Sequence, residues 1–135
     1  MPLDIAFFET WRPRALAVLR IVTAYLFITH GTAKLLGVPH QAMFDGLKLM
    51  SLTGVAGILE LVGGALILIG LFVRPVAFVM CGFMAVAYFM AHGSQGNVLV
   101  PMLNKGELAV LYCFVFLYFT AAGAGAWSVD AMRRR

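Results

Sequence analysis

Glu60 stands near the middle of Ser51–Phe72, an otherwise uncharged run of apolar and small residues long enough to cross a lipid bilayer. A carboxylate at that depth is costly, and chains that retain one turn it toward a protein interior or a watered cavity. Arg20, His30, Lys34, His92 and Glu107 lie within or at the ends of three further apolar stretches, so Glu60 has charged and polar candidates to meet. The pattern predicts an all-α fold, an integral membrane four-helix bundle with a polar interior.

Composition agrees with that class. The chain is 62% hydrophobic and only 12% charged over 135 residues, which leaves too little polar surface to cover a water-soluble globule. The net charge of +4 is carried largely by Arg12, Arg14, Arg74 and Arg133–Arg135, which do not form a groove-lining patch. Nucleic acid is therefore not an expected partner, whereas membrane lipid is.

Hydropathy places four spans, at Ala15–Leu36, Ser51–Phe72, Val76–His92 and Glu107–Trp127, each near the roughly 20 residues that a hydrocarbon core requires. They form a single domain over residues 1–135. Only Val73, Arg74 and Pro75 separate the second span from the third, which forces an antiparallel hairpin. An even number of spans puts both termini on one side, and the arginines gather there. Both ends are thus expected in the cytoplasm. The acids Asp4 and Glu9 and the interruption at Arg20 argue against a cleaved signal, so the first span is kept. Ile5, Phe7, Phe8 and Trp11 precede it as a short interfacial segment. Gly37–Met50 is expected to form a half-embedded amphipathic turn, and Gly93–Gly106 a polar lid.

Helical spacing selects the faces. Arg20, Thr23, Phe27, His30 and Lys34 make one stripe on the first span, and Thr53, Gly57, Glu60, Gly63, Gly64 and Ile67 one on the second, where the glycines admit a neighbouring helix. The third span aligns Cys81, Ala85, Tyr88 and His92, and the fourth aligns Glu107, Leu111, Phe114, Tyr118 and Gly125. At a rise of about 1.5 Å per residue Glu60 lies roughly 13 Å, His30 roughly 9 Å and Arg20 roughly 24 Å below the outer surface. His30 is the nearer partner for Glu60, with Arg20 second. Lys34, His92, Asn104 and Glu107 form the mouth of the cavity.

Such a cluster serves one of two ends: it fixes helix register, or it binds a polar headgroup and passes protons. In the functional case Glu60 and His30 are the binding and protonating groups, Phe27, Tyr88 and Tyr112 form an aromatic slot, and Arg20, Lys34, His92, Asn104 and Glu107 complete the binding site. A metal centre is not expected, because no His/Glu pair at i,i+3 or i,i+4 spacing occurs within one span. Cys81 and Cys113 do not form a Cys-x-x-Cys motif, and counting from the span ends separates them by more than about 10 Å along the membrane normal. They are read as packing residues.

The stretch Phe27-Ile-Thr-His-Gly-Thr-Ala-Lys34-Leu-Leu-Gly37 after Arg20, the motif Gly57-Ile-Leu-Glu60-Leu-Val-Gly-Gly64 with Gly70 and Arg74, Asn104-Lys-Gly-Glu107 leading into Leu111-Tyr112, and Gly123-Ala-Gly125-Ala-Trp-Ser128-Val-Asp130 together resemble the DoxX family of small bacterial four-span membrane proteins. The resemblance covers the chain from Arg14 to Asp130. It implies a membrane subunit associated with thiosulfate:quinone oxidation, or with assemblies that handle thiol and oxidative stress. No haem, flavin or iron–sulfur motif is present, so redox chemistry would draw on a quinone or on a soluble or membrane partner's cofactor. The alternatives are a non-catalytic anchor or assembly subunit of a redox complex, and a lipid or small-solute binding protein, in which a homo-oligomer would supply a pathway between protomers.

Overall fold

A computed structural model describes residues 4–135. Every regular element among them is helical: α1 (Ile5–Leu36), a 3₁₀ turn (Ala42–Phe44), α2 (Leu52–Ile69), α3 (Val73–Ala87) continued by a π turn (Tyr88–His92) and a 3₁₀ turn (Gly93–Gln95), α4 (Glu107–Ala122) and α5 (Val129–Arg133). Three of the helical runs, Ile5–Leu36, Leu52–Ile69 and Val73–Gln95, are long and apolar enough to cross a membrane. The fourth, Glu107–Ala122, is apolar but has 16 residues.

Several boundaries differ from those read off hydropathy. The expected interfacial segment before residue 15 is continuous with α1, which the Asp4 carboxylate caps by accepting from the Ala6 N–H and which runs through Pro13 for 32 residues, about 48 Å. The third span starts at Val73 rather than Val76, because Arg74 and Pro75 occupy its first turn, where a proline's missing N–H costs no helical bond. The fourth ends at Ala122 rather than Trp127, since Gly123 and Gly125 adopt positive φ and turn the chain back. The Gly37–Met50 segment contains one short 3₁₀ turn.

Two compact units divide the chain: the part up to Val73 joined by Ala124–Arg135, and Arg74–Gly123. In the first, α1 and α2 pack antiparallel along the glycine face of α2, where Gly54, Gly57, Glu60, Gly63, Gly64 and Ile67 are buried. The approach is close on both sides. A Cβ placed on Gly31 of α1 would lie 2.8 Å from the Leu61 backbone nitrogen, so only glycine admits α2 there.

The C-terminal segment is latched onto this pair. The Ala126 N–H donates to the Pro13 carbonyl at 3.0 Å and the Asp130 N–H to the Gly70 carbonyl at 2.9 Å. The Asp130 carboxylate in turn accepts from the N–H groups of Phe72 and Val73, both at 2.9 Å, which places a negative charge at the start of α3. Ser128 caps α5 and lies directly against Gly70, whose αL conformation (φ 74°) ends α2.

The second unit is an antiparallel helix pair joined at three levels. Arg74 at the start of α3 donates to the Thr120 and Ala121 carbonyls at the end of α4, Cys81 meets Cys113 midway, and Tyr88 meets Asn104 at the far end. The buried face of α4 carries Tyr112, Phe116 and Phe119. The predicted stripe of Glu107, Leu111, Phe114 and Tyr118 is exposed instead. Glu107 misled the assignment: it occupies the first turn of α4, where an acid complements the helix dipole without facing the core.

Candidate functional site

The Glu60 carboxylate is held by Lys34. Its two oxygens accept from the Lys34 ammonium at 2.6 and 2.7 Å, and the two side chains are only 6% and 14% exposed. The predicted second partner, Arg20, bonds to backbone carbonyls instead, and the predicted first partner, His30, lies on an exposed face. Side-chain direction explains the difference. A helical side chain leans toward its own N-terminus, so Lys34 on α1 reaches inward while Glu60 on the antiparallel α2 reaches outward, and the two heads meet between their Cα levels. Lys34 also lies in the last turn of α1, where a cation is favoured, and its ammonium sits 5.6 Å from the centroid of the Phe44 ring.

His30 lies on an exposed face of α1, one turn before Lys34. The predicted stripe holds at Arg20, Thr23 and Phe27, all buried, but its next buried position is Gly31. Continuing from Phe27 by four residues rather than three reaches the glycine that touches α2, and His30 falls one residue to the side.

Arg20 is completely buried and donates only to backbone carbonyls. Its Nε reaches Ala124 O at 2.8 Å, Nη1 reaches Ile67 O at 2.8 Å and Leu68 O at 2.5 Å, and Nη2 reaches Ala126 O at 3.2 Å and Trp127 O at 2.8 Å. Ile67 and Leu68 close the last turn of α2, where the Ile67 carbonyl also accepts from the Gly70 N–H at 3.1 Å, so one guanidinium serves a helix end and the returning C-terminal segment together. It is thereby a brace within the first unit.

In the second unit, Asn104 is buried at the centre of the 93–106 loop. Its amide donates to the Tyr88 hydroxyl at 2.9 Å and to the Gly96 and Asn97 carbonyls at 3.3 Å, and its side-chain oxygen accepts from the Gly106 N–H at 3.0 Å. The Tyr88 hydroxyl donates to Val98 O at 2.7 Å, and the His92 Nδ1 lies 3.0 Å from Asn104 O with its ring stacked on Tyr88. The polar loop is thus tied down by the residues that were expected at a cavity mouth. Glu107 is exposed. Of the predicted aromatic flank, Phe27 belongs to the first unit and Tyr88 and Tyr112 to the second, all three buried, with Tyr112 stacked on Phe116 at 6.0 Å between centroids.

The cysteines require the largest correction. Their sulfurs are 3.7 Å apart. The expected separation rested on span ends at Val76 and Glu107. With α3 starting at Val73 and α4 ending at Ala122, Cys81 and Cys113 lie about 12 and 14 Å from ends that Arg74 holds side by side, hence at one level. The bonds of the Asp130 carboxylate to Phe72 and Val73 and the close Gly31 contact have no local sequence signal, because each joins residues far apart in the chain.

The comparisons with known proteins fit this arrangement. An uncharacterised protein of Haemophilus influenzae (strain ATCC 51907 / DSM 11121 / KW20 / Rd) is 47% identical over 129 residues, spanning 90% of this chain and 92% of that relative. No solved structure matches the chain. The DoxX family model matches residues 15–93, which include α2 whole, the Lys34–Glu60 pair and Arg20. With more than half its length so matched, and with its long apolar helices, the chain is a membrane protein belonging to the DoxX family.

Proposed function

We propose that this chain is a non-catalytic membrane subunit of a redox assembly in the bacterial cytoplasmic membrane, a multi-pass protein crossing four times with both termini inside. One observation carries the reading: among the described residues no buried side-chain nitrogen or oxygen lacks a hydrogen-bond partner within the protein. Arg20, Glu60, Asn104 and Asp130 all serve backbone or side-chain groups of this chain. Polar groups so engaged fix helix register and leave little for a substrate. The arginines of the N- and C-terminal regions then provide the cytoplasmic contact for a soluble partner that brings the redox cofactor.

Arg133 lies over the Phe72 ring at 4.7 Å, so Arg134 and Arg135 are the residues to test. Extracted gently from its native membrane, the wild-type chain is expected to carry a partner with a flavin, haem or iron–sulfur absorbance. The pair R134E and R135E is expected to lose that absorbance while the chain's melting temperature stays unchanged. Sustained quinone turnover by the chain alone in nanodiscs would overturn the proposal.

A second reading is favoured by the exposure of His30 one turn from the Lys34 ammonium. Two groups able to donate a proton there would suit a quinone carbonyl arriving from the lipid, with the Glu60 carboxylate holding Lys34 in its ammonium form. On that reading, quinone retained through purification should fall about tenfold in His30→Phe, equivalent to about 1.4 kcal/mol of binding. Equal quinone content in the two proteins would exclude it.

A further inference from the structure

Cys81 and Cys113 are free thiols on facing helices of the Arg74–Gly123 unit, each partly exposed, with sulfurs in van der Waals contact at 3.7 Å. A disulfide needs an S–S distance of about 2.05 Å, so each sulfur has to move less than about 1 Å, which side-chain rotation supplies. The helices are already held together above and below this level, by Arg74 on the Thr120 and Ala121 carbonyls and by Asn104 on Tyr88. These anchors keep the two thiols facing each other.

Position selects the oxidant. Both thiols lie about 12–14 Å along their helices from the Val73 and Ala122 ends, deep within the apolar stretch of each. Hydrophilic disulfides such as oxidised glutathione do not partition to that depth. An acceptor that dissolves in hydrocarbon and takes up electrons together with protons reaches it. Quinones are of that class.

We propose that Cys81 and Cys113 form an intramembrane dithiol that is oxidised to a disulfide by a lipid-phase quinone. Two S–H bonds break and one S–S bond forms. The two electrons and two protons released reduce the quinone's two carbonyls to the hydroxyls of a hydroquinone, so the step balances as a single two-electron exchange with no further cofactor. The proposal is independent of the scaffold reading, which concerns Lys34, Glu60 and the terminal arginines. A scaffold subunit with an oxidisable thiol pair remains a scaffold.

The test uses the full chain, reduced and placed in nanodiscs without oxygen, with a benzoquinone bearing a ten-carbon tail as the probe. Maleimide mass tagging after denaturation is expected to count two thiols before the quinone and none after, with about one hydroquinone formed per chain. Cys113→Ala and Cys81→Ala should each keep their remaining thiol and form no hydroquinone. Oxidised glutathione, confined to water, should act far more slowly on the wild-type chain. Two taggable thiols after prolonged exposure of the wild-type chain to the quinone would overturn the proposal, as would equal hydroquinone formation by the single-cysteine variants or equal rates with oxidised glutathione. The wild-type thiol count decides the matter even where a variant folds poorly.

Discussion

Arg20→Met is expected to prevent accumulation of folded protein. The substitution preserves much of the aliphatic stem but removes the donors that serve the carbonyls of Ile67, Leu68, Ala124, Ala126 and Trp127. A buried carbonyl left without a donor costs about 1–3 kcal/mol; the bonds to Ala124 and Ile67 are buried and the other three part-buried, and Ile67 keeps the Gly70 N–H. Even if relaxation of the 124–127 segment rescued most of them, two orphans would cost about 2–6 kcal/mol, a large part of the 5–15 kcal/mol typical of a folded domain. Arg20→Lys retains the charge but offers three donors from a single point, so it should recover only part of the loss. Detergent-extracted yield of monodisperse protein and its melting temperature measure the effect. A melting temperature for Arg20→Met within a few degrees of wild type would show that the brace is dispensable.

Lys34→Met is expected to be nearly as damaging, and for a reason that a second substitution can reverse. It leaves the Glu60 carboxylate, 5% exposed, without its counter-charge, and breaking a buried pair from one side costs about 3–5 kcal/mol. Replacing both partners by residues of similar volume removes the orphan, and such exchanges are often neutral or stabilising by about 1–4 kcal/mol. The double variant Lys34→Met with Glu60→Met should therefore melt at or above the wild-type temperature, with a coupling energy of about 3 kcal/mol or more between the two positions. If the double variant is as unstable as the single one, the pair is not what holds this level of the α1–α2 contact. If it is stable but the assembly loses turnover, Glu60 and Lys34 have a chemical role and the scaffold proposal fails.

Which parts of this arrangement were legible in the sequence follows from the range over which each signal acts. The glycine face of α2 was legible from Gly57 onward, because Gly57, Glu60, Gly63, Gly64 and Ile67 repeat at helical spacing and small residues and a lone acid all demand protein neighbours, whereas at its start Gly54 is buried rather than the predicted Thr53. The α1 face was legible down to Phe27 and lost at His30, where the ring nitrogen attracted attention and the glycine beside it carried the contact. Depth arithmetic failed twice for different causes. For Glu60 it located Cα atoms, whereas the charged heads of opposed helices lean toward one another. For the cysteines it inherited span ends from hydropathy, which cannot see that Pro75 suits a first helical turn or that Gly123 ends α4. The α4 face was misassigned because polar residues were used to orient it, and the buried side is aromatic.

The 124–127 segment was read as the end of a span, since nothing in a local window distinguishes a hydrophobic strand of loop from helix. Its role depends on an arginine more than 100 positions earlier, a contact that no sequence pattern announces.

That separation bears on the order in which the molecule is made. Arg20 enters the bilayer with α1, while Ile67 and Leu68 reach it only after the second hairpin arm has been synthesised, and Ala124–Trp127 follow more than 100 residues after Arg20. Throughout that interval the guanidinium must keep water, lipid phosphate or the insertion machinery as its companion. Biogenesis of this protein thus has a delayed locking step, in which residues made long after α1 release it from whatever had been sheltering its charge.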